Sequence, residues 1–176
     1  MLDQINIRQE QEQDFGPLSD LIYQAFKGMH EHPTEANLVR SLRANNAHIP
    51  ALCLVAENDQ ELIGHIFFTN LKVEYNEAHA KLLALAPVSV LPNYQGQGIG
   101  SALINRSIFL AKSLNYDAIV LVGHEDYYPR FGFDQLSTTD IKLPFEVPDK
   151  NAMILKLSKK VDDVSGMLTY DKAFFS

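Results

Sequence analysis

The chain has 176 residues, 46% of them hydrophobic, enough for one domain with a well-filled core and too few for a second of ordinary size. Its formal charge of −7 argues against a phosphate-backbone ligand, because nucleic-acid binders gather Lys and Arg on one face; a cationic or neutral partner fits better. A single cysteine, Cys53, excludes an intrachain disulfide and a thiolate metal cluster and points to a reducing compartment, the cytoplasm, and no run reaches the roughly 18 apolar residues of a membrane span.

Ile5 and Ile7 alternate with polar neighbours as in a short strand, and Leu18, Leu21, Ile22, Ala25 and Phe26 then recur at helical spacing. Thr34 is placed to cap a second helix, with Leu38, Val39 and Leu42 as its buried stripe and Arg40 and Arg43 in solvent, ending before Asn45-Asn46. Leu52 to Ala56 and Leu62 to Phe68 are apolar and β-prone on either side of Asn58-Asp59-Gln60, a hairpin signal, and Leu82 to Leu91 adds a third strand to the same sheet. Gly98 to Leu114 carries Ile99, Leu103, Leu110 and Leu114 on one face, an amphipathic helix. Ala118 to Val122, nearly all apolar, reads as a strand buried on both faces, and Met153 to Leu157 as one more; the tail from Val161 to Ser176 carries no decisive pattern.

Between the Leu82 strand and the Gly98 helix lies a turn with glycines at 96, 98 and 100. Glycine lets a backbone approach a ligand closely and leaves its N–H groups unhindered, and the positive end of a helix favours an anion, so a pyrophosphate suits this turn better than a bare loop does. A nucleotide-hydrolysing loop would need a lysine after the last glycine, where Ser101 stands instead. The dinucleotide fingerprint needs G-x-G-x-x-G, whereas Gly96, Gly98 and Gly100 give G-x-G-x-G, and Asp117 precedes its strand rather than ending it.

What remains is Gln95-x-x-Gly98-x-Gly100 behind Val88-Ser89-Val90-Leu91-Pro92-Asn93-Tyr94, which resembles the central motif of the GNAT superfamily of N-acetyltransferases. Tyr128-Pro129-Arg130-Phe131-Gly132-Phe133 is similar to that superfamily's later Tyr-x-x-x-Gly-Phe signature. Glu35 with Leu38-Val39, Gly64-His65, Ser165-Gly166 and Tyr170 extend the likeness, over nearly the whole chain, to a bacterial subfamily of acetyltransferases of undefined substrate.

The resemblance implies an α/β (α+β) fold, a mixed and largely antiparallel sheet flanked by helices, with splayed central strands. It implies acetyl-CoA as cosubstrate and an amine of a small molecule or protein as acceptor, with no metal ion; homodimers are common in the superfamily. Cofactor contacts fall on Val88, Ser89 and Val90, where backbone groups of Val88 and Val90 pair with the pantetheine arm, and on Gln95, Gly96, Gln97, Gly98, Ile99, Gly100 and Ser101 around the pyrophosphate. Tyr128 matches the tyrosine that protonates the departing CoA thiolate; the plainer reading is a packed ring in the cluster with Tyr127, Phe131 and Phe133.

No carboxylate stands in Leu82 to Leu91 to serve as a base, so a water-linked group is needed, and Glu125, His124 and His65 are the candidates. Their plainer readings are a solvated loop acid for Glu125 and a hydrogen-bonded core histidine for His65. Gly123-His124-Glu125-Asp126 occupies the place where many relatives carry an asparagine, and His30, His32, His48 and His79 lack metal-ligand spacing. The acceptor pocket is expected from residues 15 to 50 and Leu143 to Asp149. Against the enzyme stands a second reading, a non-catalytic acyl-CoA-binding sensor module.

Overall fold

The structure, a computed structural model, describes residues 4–176. Its elements run β1 (Asn6–Gln9), α1 (Phe15–Phe26), α2 (Glu35–Ala44), β2 (Leu54–Asn58), β3 (Glu61–Tyr75), β4 (Leu82–Val90), α3 (Ile99–Ser113), β5 (Ala118–Val122), β6 (Asp134–Gln135), β7 (Ile141–Lys142), β8 (Ala152–Lys156) and β9 (Ser165–Thr169). The hairpin closes through Asp59 and Gln60 with φ of 48° and 70°, the two left-handed residues that match the twist of the flanking strands. β3 continues to Tyr75, beyond the apolar run that marks it, because its second half is held by β9, a strand in the tail that showed no pattern.

The sheet order is β1-β2-β3-β4-β5-β8-β6, with β9 on the far half of β3 and β7 beside β9. Pairing is antiparallel except for β4 with β5 and β7 with β9, so the expected mixed, largely antiparallel sheet is what forms. The parallel β4–β5 pair needs a crossover, and α3 supplies it. Ile99, Leu103, Ile104, Ser107 and Ala111 are the buried residues of α3, packed on a face that includes Ile66, Phe68, Leu83, Leu85, Ile119 and Leu121. Leu114, expected on that stripe, is 38% exposed just past the helix end. The other face of the sheet is covered by α1 and α2 through Leu18, Leu21, Ile22, Val39 and Leu42, and further along by the C-terminal segments against Leu82, Ala84, Val120 and Ile154.

Two features of α2 differ from expectation. Thr34 holds the N-cap position, but its side chain makes no capping hydrogen bond. Arg43 is not solvated: its side chain is 10% exposed, lies 4.0 Å over the Phe15 ring, and donates from Nε and Nη2 to the two Glu10 oxygens at 2.9 Å each. His65, fully buried, completes the group with Nε2 at 2.7 Å from Glu10 Oε1. Arg40, three residues away, is exposed as expected.

Burial pushes the Glu10 carboxyl up, but the hydrogen bonds from His65 and Arg43, with the charge of Arg43, outweigh it and leave the group below its ordinary value of 4.5. Burial pushes the His65 imidazole below its ordinary 6.5, against the pull of Glu10, so the ring is held neutral. Both shifts make the fold acid-sensitive. The unfolded chain binds a proton at His65 first, so stability falls as pH drops through 6.5; Glu10 adds a second loss as pH drops below 4.5. Glu10→Gln leaves the Arg43 charge without its partner, and a loss of about 3 kcal/mol is expected in urea unfolding at neutral pH. A change under about 0.5 kcal/mol, the scale of an ordinary surface substitution, contradicts the buried-pair account.

The sheet parts in its middle. β4 and β5 pair only over Leu82–Ala84 against Ala118–Val120. Just beyond, Ile66 of β3 opposes Val88 while Phe68 opposes Leu85, so Ala86 and Pro87 stand against Phe67 alone. An extra residue in one strand bends it and raises its twist, and from this bulge β4 leaves β5.

Candidate active site

The parting of β4 opens over the start of α3. Gly98, at the N-cap, has φ 85° and ψ 9°, a left-handed conformation that a side chain at this position would strain. The first intrahelical bond is Ala102 N to Gly98 O at 3.0 Å, so the N–H groups of Ile99, Gly100 and Ser101 lie before the ladder begins. They border a cavity of about 330 Å³ lined by Val90, Tyr94, Gln95, Gly96, Gly98, Ile99, Gly100, Ser101, Tyr127 and Arg130. Gln95 fixes the entry to the turn by donating from Nε2 to Val90 O at 3.0 Å, and Gln97 braces it by donating to Asn93 O at 3.2 Å. Free N–H groups, the helix dipole and the Arg130 guanidinium give this cavity the character of an anion site.

A second cavity, of about 490 Å³, shares Val90, Gln95 and Tyr127 with the first, so the two form one channel. It follows the parted strands past Leu85, Ala86, Pro87 and Val88 on one side and Val122, Gly123 and His124 on the other, and reaches Ala25, Phe26, Met29, Glu35 and Tyr128. Leu91 N bonds Ile63 O at 2.9 Å across to β3. Because strand residues point their backbone groups alternately to either side, Ser89 shares that direction while Val88 and Val90 turn theirs to the open edge. The Ser89 side chain lies buried on the α1 side, opposite His65, with its hydroxyl unpartnered. Of the expected cofactor residues, Ser89 and Gln97 line neither cavity.

Tyr128 reaches the channel from the short helical turn Tyr128–Phe131, packed against Tyr127, Phe131 and Phe133 at ring distances of 5.1, 6.5 and 5.9 Å. The packed-ring reading therefore describes its surroundings, and the same residue also lines the opening. Gly123 makes room for it, since a Cβ there would lie 2.5 Å from Tyr128 Cε2. Burial, then the neighbouring Tyr127, pushes its hydroxyl up to about 12.

Tyr127 has a place that its sequence did not announce. Its hydroxyl is 3.0 Å from Ser101 Oγ, tying the glycine turn to the opposite wall, and Arg130 stacks over its ring at 4.5 Å. Of the three relay candidates, only His124 lines the channel, with a side chain 72% exposed. His65 belongs to the Glu10 group on the α1 side, as a core histidine would, and Glu125 is a surface acid 3.3 Å from Lys150. A larger cavity of about 730 Å³ lies among Leu136 to Ala152 and takes in Leu143 and Phe145 to Asp149, part of the loop expected at the acceptor pocket; none of the expected cofactor or catalytic residues lines it, and that loop lines neither cavity of the channel. Among the described residues no group of three or more His, Cys, Asp or Glu could hold a metal ion, and no helix is long and apolar enough to cross a membrane.

The acetyltransferase (GNAT) family model matches residues 16–133, from α1 through the Tyr128 turn. This chain belongs to the GNAT acetyltransferase family. Over 118 residues it is 33% identical to the uncharacterized N-acetyltransferase YjhQ of Escherichia coli, spanning 66% of this chain and 65% of that protein. With YhbS, another uncharacterized N-acetyltransferase of Escherichia coli, it shares 27% over 146 residues, 82% of this chain and 85% of the relative. The crystal structure of YhbS in complex with CoA superposes with a TM-score of 0.87 at 25% identity, covering 98% of this chain and 93% of that one. A GNAT acetyltransferase from Brucella melitensis, solved with acetyl-CoA, gives 0.79 at 30% identity and 97% of both chains. Strand, glycine turn and helix of the GNAT signature thus coincide with the parted strands and the mouth of the channel.

Proposed function

We propose that this protein moves the acetyl group of acetyl-CoA to an amine, by direct attack in a ternary complex held within one domain, residues 1–176. The observation that carries the reading is the parting of β4 from β5 directly over a glycine-bearing helix N-terminus. The pyrophosphate is assigned to the turn from Gly96 to Ser101, entered through Gln95 and flanked by Arg130. The pantetheine arm is assigned to the open edge of β4, where Val88 and Val90 offer it the hydrogen bonds of a missing strand. Ser89, between them, keeps the edge in register by facing β3, and Gln97 holds the turn in shape. The lone cysteine favours the cytoplasm.

A thioester is already activated, so placing the two substrates supplies most of the rate. The Val90 N–H, turned to the open edge, is placed to steady the thioester oxygen as charge develops on it. Tyr128 is assigned the proton for the thiolate. Raised to about 12, its hydroxyl stays protonated at neutral pH; the burial that raises it also disfavours a bare thiolate beside it, keeping donor and acceptor comparable.

Acetyl-CoA is expected to raise the Tm, and free CoA thiol to appear when amines are added; affinity without thiol release is the result that would favour a binding-only sensor. Only the neutral amine attacks, so kcat/KM for an alkyl amine is expected to climb toward the amine's own pKa, about 10.4, nearly tenfold per pH unit. No falling limb from Tyr128 belongs in the range from pH 6 to about 9, since its hydroxyl titrates near 12. A flat profile over that range contradicts the mechanism.

A further inference from the structure

One wall of the channel at the parted strands comes from the helical layer: Ala25 and Phe26 at the end of α1, Met29 just after it, and Glu35 in the first turn of α2. Among the described residues Glu35 is the only carboxylate lining this cavity, and no lysine or arginine lines it. The Glu35 side chain is 20% exposed, with Oε1 at 2.9 Å from His30 Nε2. Its Oε2 is buried with no hydrogen-bond partner. A carboxylate oxygen buried without a partner is costly, and most such groups in folded proteins are satisfied by something.

An acid in the first turn of a helix is favoured by the helix dipole, which accounts for a charge on α2. It does not account for a side chain lining a cavity that it shares with Val88, Val90 and Tyr128, with one oxygen bound and the other unpaired. The last torsion of a glutamate is soft, so either oxygen can be presented to the channel while His30 holds the other.

We propose that Glu35 anchors the ammonium group of the acceptor, and that the acceptor is a small primary amine with an apolar skeleton and no carboxylate beside its nitrogen. The proposal rests on the acetyl-transfer reading above. Glu35 supplies the one charge that calls for a cation, and Phe26, Met29, Pro87 and Val122 supply the apolar surface for a skeleton. An amino acid would bring a second carboxylate toward Glu35, and the channel's one guanidinium, Arg130, lines the cavity assigned to the pyrophosphate, not this one. Glu35 acts on arrival and placement. The ammonium loses one proton to solvent before the C–N bond forms and the C–S bond breaks, and the proton then lost from nitrogen balances the one taken up by the thiolate.

2-Phenylethylamine and phenylalanine differ by the carboxylate alone and separate the two cases. In calorimetric titration of the CoA-loaded protein, 2-phenylethylamine is expected to bind at least tenfold more tightly than phenylalanine. Glu35→Gln is expected to weaken the amine tenfold or more, Glu35→Asp less, and neither to alter the affinity for CoA, which also reports that the variants fold. Equal binding of the two compounds, no saturable binding of the amine, or a Glu35→Gln variant that binds it like the parent each overturns the anchor. Thiol release from acetyl-CoA is read alongside. Glu35-dependent binding without thiol release leaves the anchor and sinks acetyl transfer; thiol release indifferent to Glu35 and to the carboxylate does the reverse.

Discussion

Gly100→Glu is expected to abolish the stabilisation of the protein by acetyl-CoA while leaving the fold intact. The two halves of that result have different causes. Gly100 sits in the first turn of α3, where an acidic side chain is favoured by the helix dipole, and a Cβ there would meet Tyr127 Oη at 3.4 Å and Val90 Cγ2 at 3.8 Å, ordinary contacts. The same carboxylate would project into the cavity assigned to the pyrophosphate, adding negative charge and bulk among the N–H groups that are to receive an anion. Circular dichroism and Tm without ligand should match the parent, and the shift with acetyl-CoA should vanish. Gly98→Glu should lose the ligand too, but with a lower Tm, because its left-handed backbone resists a side chain. Cofactor binding by Gly100→Glu at parental affinity would place the pyrophosphate elsewhere.

Tyr128→Phe is expected to bind acetyl-CoA nearly normally and to lose roughly 10²-fold or more in kcat, the scale of a positioned acid. The ring that packs on Tyr127, Phe131 and Phe133 remains, so the fold should survive. Tyr127→Phe is the comparison. It removes the bond to Ser101 Oγ, so its effect should fall on the KM for acetyl-CoA, with kcat little changed. If the two variants behave alike and keep full turnover, Tyr128 is a packing residue and water delivers the proton.

The elements assigned to the cofactor could be located in the sequence because their pattern is local: a strand, three alternating glycines and an amphipathic helix lie within one stretch, and each constrains the backbone by itself. The acceptor end could not. Glu35 gains its meaning only when α2 is laid across the end of α1 and over the parted strands, and Arg40 and Arg43 look alike until Glu10, 33 residues from Arg43, is folded against one of them. The tail hid β9 for the same reason, since its pairing with Lys72 to Tyr75 spans about half the chain. Tyr127 and Tyr128 stand side by side in sequence, and only the turn that holds them decides which hydroxyl meets Ser101 and which ring packs over Gly123.

The bulge that turns β4 away from β5 leaves Leu85 to Val90 with a neighbouring strand on one side alone. An interior edge of this kind is unfinished architecture, and unpaired edges invite the wrong neighbour. A pantetheine arm laid along it would complete the ladder, so the cosubstrate would serve as a removable strand of the fold as well as a reactant. By mass action, part of the rise in Tm with acetyl-CoA would then come from closing this edge, over and above what the pyrophosphate contributes at the glycine turn.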